Sequence, residues 1–210
     1  MSVTFPQVTV PTNWGFQSSN FTATSVQTQY TDLDISDKIA IGGRGLVSGV
    51  GISMAIRKTL EKVAAKATLN GTEIAAEMPS GMGIAGKSIA GGLRRSLLIG
   101  GVVSAATNLY QAITGKVTGV QAGGNMVADT ATSVVGTVAA TCAAGLVAGA
   151  IGAPGILMTG ATFLVGTAVF VGIDALMHVS GIHKGIADTS AGVIQQIVDF
   201  FRKKIGPGGV

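Results

Sequence analysis

The sequence predicts an all-α protein, with long Gly/Ala-rich helices, a central apolar helical hairpin and an extended, β-prone arm before them. Three observations carry that prediction. First, from Thr130 to Ile173 the chain has no Asp, Glu, Lys, Arg or His. Second, "GAPG" at 152–155 divides this run into stretches 131–151 and 156–173, the latter extendable to Met177. At about 1.5 Å per helical residue, each stretch approaches the ~30 Å of a bilayer's hydrocarbon core. Third, only 11% of residues are charged and mean hydropathy is +0.54, against roughly 25% charged in an ordinary soluble domain. A chain so poor in charge cannot cover a water-facing surface, so membrane contact or a large buried interface is expected.

Residues 1–35 form the arm. "MSVTFPQVTVP" and "FTATSVQTQYTDLDI" are rich in Thr, Val and Gln, and Trp14, Phe16, Phe21 and Tyr30 lie here. Such a segment suits strand addition to a partner chain.

Residues 36–116 read as a basic amphipathic helical region. Asp34 or Ser36 supplies a helix start. Over 52–68, Ile52, Ala55, Ile56, Leu60 and Val63 recur at spacings of three and four. Arg57, Lys58, Glu61, Lys62 and Lys66 fill the opposite face, and Asn70-Gly71 is a stop. Residues 96–115 carry no charge, between Arg94-Arg95 and Lys116.

Between these helices "GMGIAGKS" matches G-x-x-x-x-G-K-[ST] at Gly81, Gly86, Lys87 and Ser88. A phosphate loop joins a buried strand to a helix, so that its amides wrap the phosphates. Here "NGTEIAAEMPS" precedes it, which is no strand, and no strand–helix alternation builds a parallel sheet. The match is therefore read as chance, and the glycines near 80–92 as a hinge, with Lys87 joining Arg94 and Arg95 in a basic collar.

The apolar hairpin lies within residues 117–181. Gly136, Ala140, Ala144 and Ala148 share one line of four-residue spacing, Gly145 and Gly149 another. Gly160, Gly166 and Gly172 form a looser series on the second arm. Small residues so spaced let helix backbones approach closely, in lipid or in a protein core. Residues 182–210 hold a last amphipathic helix, about 187–204. Val193, Ile194, Ile197, Val198 and Phe201 line one face, and Arg202, Lys203 and Lys204 close it before "GPGG".

No catalytic apparatus is predicted and no cofactor. Asp174, His178 and His183 lack metal-ligand spacing on a common helix face and read as a helix-end ion pair. The sole cysteine, Cys142, sits in an apolar run with nothing to activate it. Met1 to Pro11 has neither the basic nor the apolar region of a secretory signal peptide. Export without a cleavable signal, or carriage in an injection particle, is the expectation.

The stretch "VVGTVAATCAAGLVAGAIGAPGILMTGATFLVGTAVFVGIDAL" resembles the glycine-zipper hairpins of secreted bacterial toxins and effectors and of some phage DNA-ejection proteins. The likeness is compositional and covers roughly residues 120–180. It implies a helical element hidden during delivery that later inserts into a membrane.

Together these readings lead to a non-enzymatic, membrane-active protein whose hairpin inserts and whose copies associate along small-residue faces to permeabilise a bilayer. The partner is a lipid bilayer, anionic because helix 52–68, Arg94, Arg95, Arg202, Lys203 and Lys204 would hold its headgroups. A nucleic-acid partner is not expected. The main alternative is a structural or phage assembly protein that buries the hairpin in a homo-oligomer. Another is a resident inner-membrane protein with residues 38–95 on the cytoplasmic side.

Overall fold

Local chemistry at the helix ends divides the chain into five helices. In the computed structural model, which describes residues 33, 35–70, 79–152 and 155–205, these are α1 (Ile35–Asn70), α2 (Gly81–Ile113), α3 (Gly119–Ile151), α4 (Ile156–Val179) and α5 (Ile182–Ile205). No strand occurs among the described residues. The arm expected over 1–35 falls almost wholly outside them, and its last residue, Ile35, already belongs to α1.

Ser80 starts α2, its hydroxyl accepting from the Gly83 amide at 3.2 Å. Thr118 starts α3 through a reciprocal pair with Gln121, which satisfies two donors that the first turn leaves unpaired. The left-handed Gly152 (φ +71°) ends α3, and Gly181 (φ +76°) separates α4 from α5. A β-carbon would strain both positions.

α1 packs on α2 and α4, and α3 packs on α2, α4 and α5. The first four helices thus form a square antiparallel bundle, in which α1 and α3 touch little across the diagonal. The expected hairpin is present as α3 and α4, but each arm is also held by a neighbour, α2 or α1. The basic helix expected at 52–68 is the C-terminal half of the longer α1.

The joint expected near 80–92 is corrected: Gly81 onward is regular helix. Gly81 serves close packing. A β-carbon on Gly145 would lie 2.7 Å from the Ala85 Cβ and 2.8 Å from the Gly81 carbonyl, and one on Gly149 would lie 2.7 Å from the Gly81 Cα. The glycine and alanine lines of α3 therefore include a seam against α2. Gly136 meets Phe170 and Gly166 meets Ile52. Ala140, Ala144 and Ala148 are fully buried in the core with Ile52, Ile56, Leu60, Ile84 and Met158. Gly160 and Gly172 face open space.

Along parts of α2 and α4, interior and exterior are inverted relative to a water-soluble bundle. On α2 the buried row is Ser88, Gly92, Ser96, Gly100, Ser104 and Asn108, at strict four-residue spacing. The exposed row includes Leu98 (65% exposed), Val102 (68%), Leu109 and Ile113 (76%). On α4, Thr162, Gly166 and Asp174 are buried whereas Leu157 and Leu164 are exposed. By length and composition, the segments Ile35–Thr68, Gly81–Ile113, Gly119–Ile151 and Ile156–Val179 could each cross a membrane.

Candidate functional site: a buried charge cluster joining five helices

Seven polar side chains from all five helices meet at the end of the bundle where α4 passes into α5. Arg44 of α1, only 2% exposed, stands at the centre. Its Nη1 lies 2.5 Å from Asp129 Oδ1 on α3, and its Nε donates to Asp174 Oδ2 on α4 at 3.1 Å. One guanidinium thus bridges two buried carboxylates, using the geometry that makes arginine suited to buried pairing.

Asp129 is the most heavily bonded member. Its Oδ2 accepts from Ser104 Oγ (2.5 Å) and from Asn108 Nδ2 (3.0 Å), both on α2. Asn108 sits one turn after Ser104 and also donates to the Ser104 carbonyl at 2.9 Å, so α2 presents both donors on one face. The other oxygen, Oδ1, also lies 2.9 Å from His183 Nε2 on α5.

His178 of α4 is one turn beyond Asp174, and its Nδ1 is 2.8 Å from the Asp174 carbonyl. A carbonyl can only accept, so Nδ1 carries the proton and Nε2 of the neutral ring holds the lone pair. The kink at Gly181 brings the His183 ring over that of His178, with centroids 3.9 Å apart and planes 19° from parallel. Asp174 is fully buried, and its Oδ1 has no hydrogen-bond partner among the described residues.

Several residues singled out in the sequence lie elsewhere. The motif Gly81, Gly86, Lys87 and Ser88 occupies the first two turns of α2. Ser88 is buried and 2.9 Å from Thr59 Oγ1 on α1. The motif is therefore no loop, and beyond the first turn its amides serve the helix. Lys87 is exposed, and with Lys62 and Lys66 of α1 it lines an open groove of about 340 Å³. Arg94 is exposed and Arg95 half-buried. Arg202, Lys203 and Lys204 are exposed at the end of α5, where Lys204 Nζ sits 5.6 Å from the Phe200 ring centre.

No protein-family model, curated protein or solved structure matches the chain. The site must therefore be read from its own geometry.

Sequence spacing paired Asp174 with His178, and their Oδ1 and Nδ1 stand 3.5 Å apart; His183 instead takes Asp129, 54 residues before it. One sequence signal marks the cluster. Arg44, Asp129 and Asp174 each stand alone in long uncharged surroundings, "IAIGGRGLVSG", "GGNMVADTATS" and "VFVGIDALM". A lone charge in an apolar helix costs several kcal/mol unless it is paired, so isolated charges of opposite sign are candidates for one another.

Proposed function

We propose that this protein acts in a lipid bilayer, inserting its apolar helices with the charge cluster enclosed among them. The inverted packing carries the reading. Large apolar side chains such as Leu98, Val102, Ile113 and Leu164 face outward, while Ser, Thr, Asn, Arg and Asp are buried. In water, exposed apolar rows of this kind mark a surface that contacts a partner or a membrane. In lipid it is the favoured arrangement, because small and weakly polar residues pack helices while ionisable ones turn inward.

The charged positions on α1 and α2 fit that placement. Between Lys38 and Arg57, the only charge in residues 39–56 of α1 is the buried Arg44. Residues 96–115 of α2 and its C-terminal turn, between Arg95 and Lys116, carry none. These stretches are about 27 and 30 Å long at ~1.5 Å per residue, close to a hydrocarbon core. Lys58, Lys62, Lys66, Lys87 and Arg94 then form a basic rim for anionic headgroups, worth about 1 kcal/mol per cation near such a surface.

In the finer form of the proposal, the α3–α4 hairpin is the inserting element and several copies associate to permeabilise the membrane, in the manner of the glycine-zipper toxins it resembles. Dye release and flotation with anionic phosphatidylglycerol vesicles test both levels. Co-flotation with leakage supports the permeabilising form, and co-flotation without leakage supports membrane insertion alone. A large oligomer that stays in buffer and neither floats nor releases dye would overturn the membrane reading in favour of an assembly protein.

A further inference from the structure

We propose that Asp129, His178 and His183 form a binding site for one divalent transition-metal ion of the Zn²⁺ type, which clips α5 to the bundle. A carboxylate oxygen of Asp129 and a ring nitrogen from each histidine lie within 4.8 Å of one another. They come from α3, α4 and α5, so one ion would tie three helices.

Donor chemistry fits this class of ion. Two imidazoles and a carboxylate, with a fourth position left for water, are a familiar zinc set, whereas Mg²⁺ prefers oxygen donors alone. Zinc–ligand distances of about 2.0–2.1 Å place tetrahedral donors about 3.4 Å apart. The present separations therefore need to close by little more than about an ångström, and because the two ring planes stack nearly parallel, the His183 ring must also turn its edge toward the ion.

The surroundings also favour a cation. The hydrogen bond from His178 Nδ1 to the Asp174 carbonyl (2.8 Å) is the kind of outer contact that orients a ligating ring and leaves its Nε2 free. With neutral rings, Asp129 and Asp174 against Arg44 leave one negative charge in excess. A cavity of about 40 Å³, bordered by Asp37, Arg44, Asn125, Asp129, His178 and His183, opens beside the donors. That is room for an ion with a water.

Arg44 competes for the same Asp129 oxygen, but it need not leave the site. Its Nε and Nη2 both remain on Asp174 Oδ2, at 3.1 and 3.0 Å. The incoming ion takes the place of the proton on His183 Nε2, which moves to Nδ1 so that the ring stays neutral.

The test uses the full chain purified in mild detergent, stripped with a chelator and titrated calorimetrically with ZnCl₂, with MgCl₂ as control. One Zn²⁺ per chain is expected, with no Mg²⁺ heat. His178→Ala and His183→Ala should each weaken binding at least tenfold while retaining their helical circular dichroism. The Co²⁺ form of the unmodified protein should show the intense visible absorption of a low-coordinate nitrogen/oxygen site, so the proposal stays testable if the variants misfold. Absence of stoichiometric zinc, equal binding by the variants, or a weak octahedral cobalt spectrum would overturn it. None of these results depends on whether the vesicles leak.

Discussion

Arg44 carries more of the structure than any other single side chain. It is almost fully buried and compensates Asp129 and Asp174 together. Removing one member of a buried ion network leaves an uncompensated charge and costs about 3–5 kcal/mol. Arg44→Ala is therefore expected to lower unfolding stability by that amount, read from denaturant curves followed by circular dichroism. The combined replacement Arg44→Met, Asp129→Leu, Asp174→Leu should recover most of the loss, since replacing a whole buried network with apolar groups is often neutral. If the triple variant is no better than Arg44→Ala, charge imbalance is not the cause. The sequence presents Arg44 as one cation among ten in residues 38–116. Its uncharged flanks set it apart from the solvated Arg57, which pairs with Glu61 on the surface at 2.7 Å, but only packing shows its partners.

At the scale of elements, glycine has two roles that composition cannot separate. Gly81 and Gly145 form a backbone contact between α2 and α3, where a β-carbon meets atoms under 3 Å away. Gly145→Val should destabilise the fold by about 1–3 kcal/mol, as overpacked cores do. Gly160, in the same type of spacing pattern, has nothing within 4 Å of an added β-carbon. Gly160→Ala should be stabilising by up to about 1 kcal/mol, because alanine is the better helix former. Thermal unfolding of the two variants checks both signs, and a Gly145→Val protein as stable as the parent would show that the seam tolerates widening. The same seam explains why 81–92 is helix despite its glycines. Tertiary contact with α3 outweighs a propensity loss of about 1 kcal/mol per glycine.

For the whole molecule, the deciding property is which face of each helix points outward. Placing a charge on the outer face tests it. Leu98→Glu, Val102→Glu and Leu164→Glu change exposed positions, and an acidic or basic group costs about 2.5–3.5 kcal/mol at the centre of a membrane helix. Each should reduce vesicle co-flotation severalfold or more while leaving the fold intact. Unchanged flotation would place these faces away from lipid. The end of α5 belongs to the same scale. Val193, Ile197, Phe200 and Phe201 are exposed beside Arg202, Lys203 and Lys204, a pairing suited to a membrane interface.

The sequence by itself determined the helical class and the apolar lengths. Both follow from local quantities: residue spacing, capping residues, and the absence of charge between Thr130 and Ile173. It also marked the turn beginning at Gly152. It did not place the start of α3, because Gly119 to Asp129 has no strong apolar period and is held by Thr118 and by α5. Only the tertiary structure decided which small-residue line meets which helix, and that the row from Ser88 to Asn108 turns inward while Leu98 and Val102 turn outward. It alone assembled Arg44, Asp129, Asp174, His178 and His183 into one cluster. Their contacts join residues up to 130 positions apart, and spacing along one helix carries no information about a partner on another.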